Sequence, residues 1–122
     1  MLEKLGNKSL VVVKEGKVIF ESEQGRLRPI VECIKSKMKA MEGSVVIDRV
    51  VGLAAAKLLV FAKAGKIYAK VASRPAIDFL KGRINAEKVV DMIMNDNGDE
   101  QCPMEKLAEK MTGKELFEKL NK

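Results

Sequence analysis

A chain of 122 residues that is 47% hydrophobic and 33% charged has enough apolar side chain to bury one core, so a single domain over residues 1–122 is expected. Its longest apolar run, Val50 to Phe61, is broken by Lys57, which excludes a membrane span of ~20 apolar residues. The net charge of +6 arises from 23 basic and 17 acidic residues mixed along the sequence. That mixture describes a solvated surface better than a disordered tail or a basic nucleic-acid face.

The first ten residues, MLEKLGNKSL, interleave acid and base without an apolar stretch and do not read as a signal peptide. With no secretion signal, the two cysteines, Cys33 and Cys102, point to a reduced, cytoplasmic setting.

Met1 to Gly6 reads as a short helical turn. Leu10 to Val13 and Lys17 to Phe20 are apolar, β-branched runs joined through Glu15-Gly16, which predicts a tight hairpin with Gly16 at positive φ. From Arg26 the period changes. Leu27, Ile30, Val31, Ile34, Met38 and Met41 recur every three or four residues, Pro29 falls in the first turn and Gly43 closes the helix. Cys33 lies beside this stripe and is expected to be partly buried.

Ser44 to Ile47 predicts a strand, with Asp48 as the cap of a helix over Arg49 to Ala64 that is apolar almost all round. Lys66 to Val71 alternates as a strand, and Ser73 caps a third helix with Ile77, Phe79 and Leu80 facing inward. Arg83 to Glu87 is a further strand and Lys88 to Met94 fits either a strand or a helical turn. Asn95 to Gly98 is a loop. Pro103 to Met111 and Gly113 to Lys122 are helices, the second opened by a Thr112/Glu115 capping box. Strands separated by crossover helices imply parallel neighbours, and the order predicts a three-layer α/β/α sandwich. The opening hairpin forces one strand antiparallel.

In such a sheet, ligands bind beyond the carboxyl ends of the parallel strands. The polar residues expected there are Asp48, Arg49, Arg74, Asn95, Cys102 and Glu105. Arg49 and Arg74 in first helical turns oppose the helix dipole, which suits an anionic ligand. Cys102 before a proline-led helix has its sulfur near main-chain N–H groups that favour thiolate, while Glu105 works against it and offers capping instead. The chain holds no histidine, so a Cys-His nucleophile is excluded. Two distant cysteines also make no zinc site, so neither a metal nor a cofactor is expected.

The segments VVIDRVVGLAAAKLL and CPMEKL, with an Asn-x-x-Gly loop before the cysteine, resemble the family called domain of unknown function 1893. The resemblance runs roughly from Ser9 to Met111. It implies a cytidine deaminase-like fold with a mixed sheet in the order 2-1-3-4-5, strand 1 antiparallel, and no established activity. Zinc deaminases use a His- or Cys-x-Glu motif and a Pro-Cys-x-x-Cys motif. By element order these would fall at Gly25-Arg26-Leu27-Arg28 and at Asp48-Arg49-Val50-Val51, and neither segment supplies a ligand. A zinc-dependent deaminase is therefore not expected.

Three readings follow from the residues. The first is a small-molecule binder or metal-independent enzyme with a small anionic or nucleotide-like ligand: Cys102, Glu105 and Asp48 are the catalytic candidates, Arg49, Arg74 and Asn95 the ligand-binding ones. A homodimeric interaction module comes second. A basic nucleic-acid-binding domain comes last, because no aromatic platform for bases is visible.

Overall fold

The computed structural model describes residues 1–25, 27–94 and 102–121. A short 3₁₀ turn, Leu2–Lys4, precedes the hairpin β1 (Leu10–Lys14) and β2 (Lys17–Ser22). Both turn residues are left-handed, Glu15 at φ 51° and Gly16 at φ 80°. That pair of positive angles matches the right-handed twist of the strands it joins. Then come α1 (Arg28–Met41), β3 (Val45–Val51), α2 (Leu53–Phe61), β4 (Lys66–Ser73), α3 (Arg74–Leu80), β5 (Ile84–Val90), α4 (Pro103–Ala108) and α5 (Gly113–Leu120). The run that suited either period, Lys88 to Met94, continues β5 as far as Val90.

The five strands form one mixed sheet in the order β2-β1-β3-β4-β5. β1 is antiparallel to both its neighbours, while β3, β4 and β5 are mutually parallel. Side-chain alternation sorts the strand residues between two faces. Leu10, Val12, Val46, Ile67 and Ala69 join the larger core with residues from all five α-helices. Val11, Val13 and Ile47 point the other way and pack with Leu5, Leu2 and Tyr68. The layers are therefore the helices, the sheet and a thin cover supplied by the N-terminal turn. The connections explain the unequal layers. β2 to β3, β3 to β4 and β4 to β5 all step in one direction between parallel strands, and right-handed crossovers then bring α1, α2 and α3 to the same side.

α2 is apolar all round because it has neighbours all round: α1, α3, α4, α5 and β3. Its one charged residue is engaged too. The Lys57 ammonium donates to the carbonyls of Ala108 at 2.5 Å and Met111 at 2.8 Å, satisfying acceptors that the end of α4 leaves open.

Three local expectations are corrected. β3 runs on to Val51, so Asp48 and Arg49 are strand residues and the helix expected over Arg49 to Ala64 starts only at Leu53, with Gly52 at the N-cap position and no side chain of its own to cap it. Phe79 does not face inward; it is 41% exposed, with the Lys57 ammonium 5.7 Å from its ring centroid. Cys33 is wholly buried rather than partly so. Ser73 caps α3, accepting from Ala76 N–H, and the Thr112/Glu115 capping box opens α5.

Candidate functional site

The chain leaves β2 and β3 on the same edge of the sheet to enter α1 and α2. After β5 it crosses the end of β4, and Ile93 reaches Gly52, the residue before α2. Cys102 N–H then donates to Ile93 O at 2.9 Å, which sets the start of α4 beside the start of α2. The space enclosed by these segments is a cleft of about 650 Å³, a usual size for a small-molecule site. Its apolar walls include Leu27 just before α1, Val31 of α1, Ala55 of α2, Ile93 from the segment after β5, and Met104 of α4.

Asp48, Arg49, Cys102 and Glu105, separated by up to 57 positions in the chain, all line this cleft. Arg74 does not. It stands outside the crossing segment with its Nε 3.2 Å from Asp91 Oδ1, both side chains well exposed. Asn95 lies outside the described residues. Arg28, Glu32 and Lys35, spaced three and four apart on α1, add a charged rim that the sequence reading passed over. Their helical spacing beside the stripe of Leu27 and Val31 was the available signal.

Glu105 is 6% exposed and its carboxylate is fully engaged. Oε1 accepts from Leu53 N–H at 2.6 Å and Oε2 from Ala54 N–H at 2.8 Å. It therefore caps α2, not its own helix, and supplies the negative charge that the amino end of a helix favours. Gly52 makes this approach feasible. A Cβ there would collide with the Glu105 carboxylate and lie 2.8 Å from Ile93 Cγ1.

Asp48 is 7% exposed and sits at the last position where β3 faces β1, paired with Leu10. Burial pushes its carboxyl up to about 7, against the opposing pull of the Val50 and Arg49 main-chain amides and the Arg49 guanidinium. The guanidinium itself is turned to the main chain, donating to Gly6 O at 3.1 Å and Lys8 O at 2.7 Å. Arg49 thus pins the segment between the 3₁₀ turn and β1.

Cys102 is the N-cap of α4, without a side-chain cap bond to that helix. Neither cysteine is disulfide-bonded, and burial raises the Cys33 thiol to about 12. Among the described residues, no three His, Cys, Asp or Glu side chains gather as they would around a metal ion. Nor, among the described residues, is any helix long and apolar enough to cross a membrane.

The comparisons with known proteins agree with this architecture. No curated protein matches the chain. A crystal structure of a DUF1893 family protein from Thermotoga maritima is similar at a TM-score of 0.84 and 33% identity, over 97% of this chain and 82% of that one. A family model described as a domain of unknown function, DUF1893, matches residues 1–122. The chain belongs to the DUF1893 family.

Proposed function

We propose that the cleft binds a small anionic ligand of about nucleotide size, and that the protein works as a ligand-binding protein or a metal-independent enzyme. One observation carries this reading: a buried carboxyl, Asp48, shares a cleft of about 650 Å³ with the basic side chains of Arg28 and Lys35. Apolar walls would desolvate a ligand body, and the cations on the rim would meet its charge. Desolvating a carboxyl disfavours its ionised form, and a group facing a cleft is where such strain serves a ligand. A cytoplasmic setting goes with this proposal, as the sequence reading of the cysteines implies. The zinc chemistry of the deaminases does not. The positions that the resemblance would assign to metal ligands hold Gly25-Arg26-Leu27-Arg28 and Asp48-Arg49-Val50-Val51.

Thermal-shift measurements with a panel of nucleotides, sugar phosphates and carboxylate metabolites test the reading. A rise in Tm that saturates with at least one anionic compound, and is lost when Arg28 and Lys35 are both replaced by Ser, is the expected result. A flat response across the panel overturns it.

A further inference from the structure

The cleft has two chemically different ends, and together they narrow the ligand that the reading above assumes. From α1 come Arg28 and Lys35, exposed, with Glu32 half-exposed between them and bridged to Arg28 at 3.7 Å. From α4 come Cys102 and Glu105, the Glu105 oxygens both bonded to α2 main-chain N–H groups. On β3 the Arg49 guanidinium is bonded to main-chain carbonyls. Among the described cleft residues, Asp48 is thus the buried carboxyl that caps no helix, its charge supported by the Val50 and Arg49 main-chain amides and the Arg49 guanidinium.

Once Asp48 is ionised, above about pH 7, a ligand anion set beside it would bury like charges together, which is strongly disfavoured. The anionic group therefore belongs at the α1 rim, and what meets Asp48 must donate hydrogen bonds. A carboxylate accepts two parallel N–H bonds in one plane, and apolar walls favour an apolar-faced ring over a solvated chain.

We propose that the ligand is a planar heterocycle presenting two adjacent N–H donors to Asp48 and joined to a phosphate or similar anion held by Arg28 and Lys35. Guanine has that edge, with its ring N–H beside its amino group. Hypoxanthine offers only the ring N–H, and adenine sets its amino group beside an acceptor. The proposal rests on the anionic-ligand reading and adds the recognition of one ring edge.

The ionised form of Asp48 is the one that accepts both bonds, so affinity follows its ionisation. With the carboxyl raised to about 7, binding releases a proton below that pH, and affinity falls as the pH drops.

Calorimetric titration of GMP, IMP and AMP at pH 6 and pH 8 tests the proposal. The three share one phosphate, so the GMP-to-AMP ratio removes the phosphate's own titration. At pH 8 GMP is expected to bind at least about tenfold more tightly than AMP, with IMP between them, since an unmet donor or acceptor is worth roughly that factor or more. At pH 6 that preference should shrink by about tenfold. Asp48→Asn, which keeps the shape and presents one acceptor beside one donor, should erase both the preference and its pH dependence. Arg28→Ser, on the exposed face of α1, should weaken all three nucleotides alike and leave the ratio unchanged.

Equal binding of GMP and AMP by the wild type, or a preference that survives Asp48→Asn, overturns the ring-edge proposal and leaves the anionic-ligand reading standing. So does silence from all three nucleotides when another anion in the thermal-shift panel binds. Silence from the nucleotides together with a flat panel overturns both.

Discussion

The two walls of the cleft treat buried carboxyls in opposite ways. On the α4 side, Glu105 is matched by two main-chain N–H groups of α2, and its charge contributes to holding the helices together. On the β3 side, Asp48 is equally buried, yet burial outweighs its polar neighbours and disfavours its charge. The first wall is a structural joint and the second is the wall on which a ligand can act. A carboxylate in a crevice therefore says little until its hydrogen-bond partners are known.

Removing the joint should be the most destabilising change. Glu105→Ala deletes two charge-assisted bonds and leaves two buried N–H groups unmet, an expected loss of about 3 kcal/mol. Urea denaturation reads it as a lower midpoint with little change in slope. Glu105→Gln retains one acceptor and should lose about half as much. A Glu105→Ala protein as stable as the wild type would dissolve the contrast between the walls.

Asp48 should show the opposite sign. Its folded value, about 7, lies above the unfolded value of about 3.9, so the folded state holds the proton through that window. The contribution of Asp48 to stability is complete below about pH 4, declines at up to about 1.4 kcal/mol per pH unit between 4 and 7, and is flat above. Asp48→Asn removes this dependence. The variant should match the wild type near pH 4 and become the more stable protein above pH 7, as denaturation curves across that range would record. A wild type that gains on the variant as pH rises through the window contradicts the assignment of burial as the dominant cause.

The opposite end of α4 offers a smaller test of the same joint. Lys57 donates to Ala108 and Met111, so Lys57→Met keeps the stem and withdraws the charge. A loss of about 1–2 kcal/mol is expected, because two carbonyls lose a charged donor. Amide hydrogen exchange should rise first in α4 and at its junction with α5, before the strands respond.

How much of this was legible in the sequence follows from the range of each interaction. The hairpin turn, the Ser73 cap and the Thr112/Glu115 box involve residues within a few positions of each other, and each was readable. The strand order was implied by the family resemblance, and the connections bear it out. Asp48 misled because an aspartate before a long apolar run looks like a helix cap, while Val50 and Val51 suit a strand as well as a helix. The role of Glu105 was hidden for another reason. Its partners lie 52 and 51 residues upstream, and no local period records such a pairing. Phe79 misled because the spacing on α3 suits burial, whereas the ring rests beside the Lys57 ammonium at the surface.

The two arginines chosen from the sequence for an anion give the smallest test, and it bears on where the cleft ends. Both stand near the carboxyl ends of parallel strands, Arg49 within β3 and Arg74 just after β4. The crossing segment after β5 separates them: Arg49 is half-buried and tied to Gly6 and Lys8, and Arg74 is left outside with Asp91. An exposed pair of that kind contributes little because water and salt screen it, so Arg74→Ala should change stability by less than about 0.5 kcal/mol. It should also leave the affinity of any cleft ligand unchanged, which a titration beside the wild type would record. A marked loss of ligand affinity in Arg74→Ala would extend the binding surface over the end of β4, and the wall formed by Ile93 and Gly52 would then be a partition within a larger site.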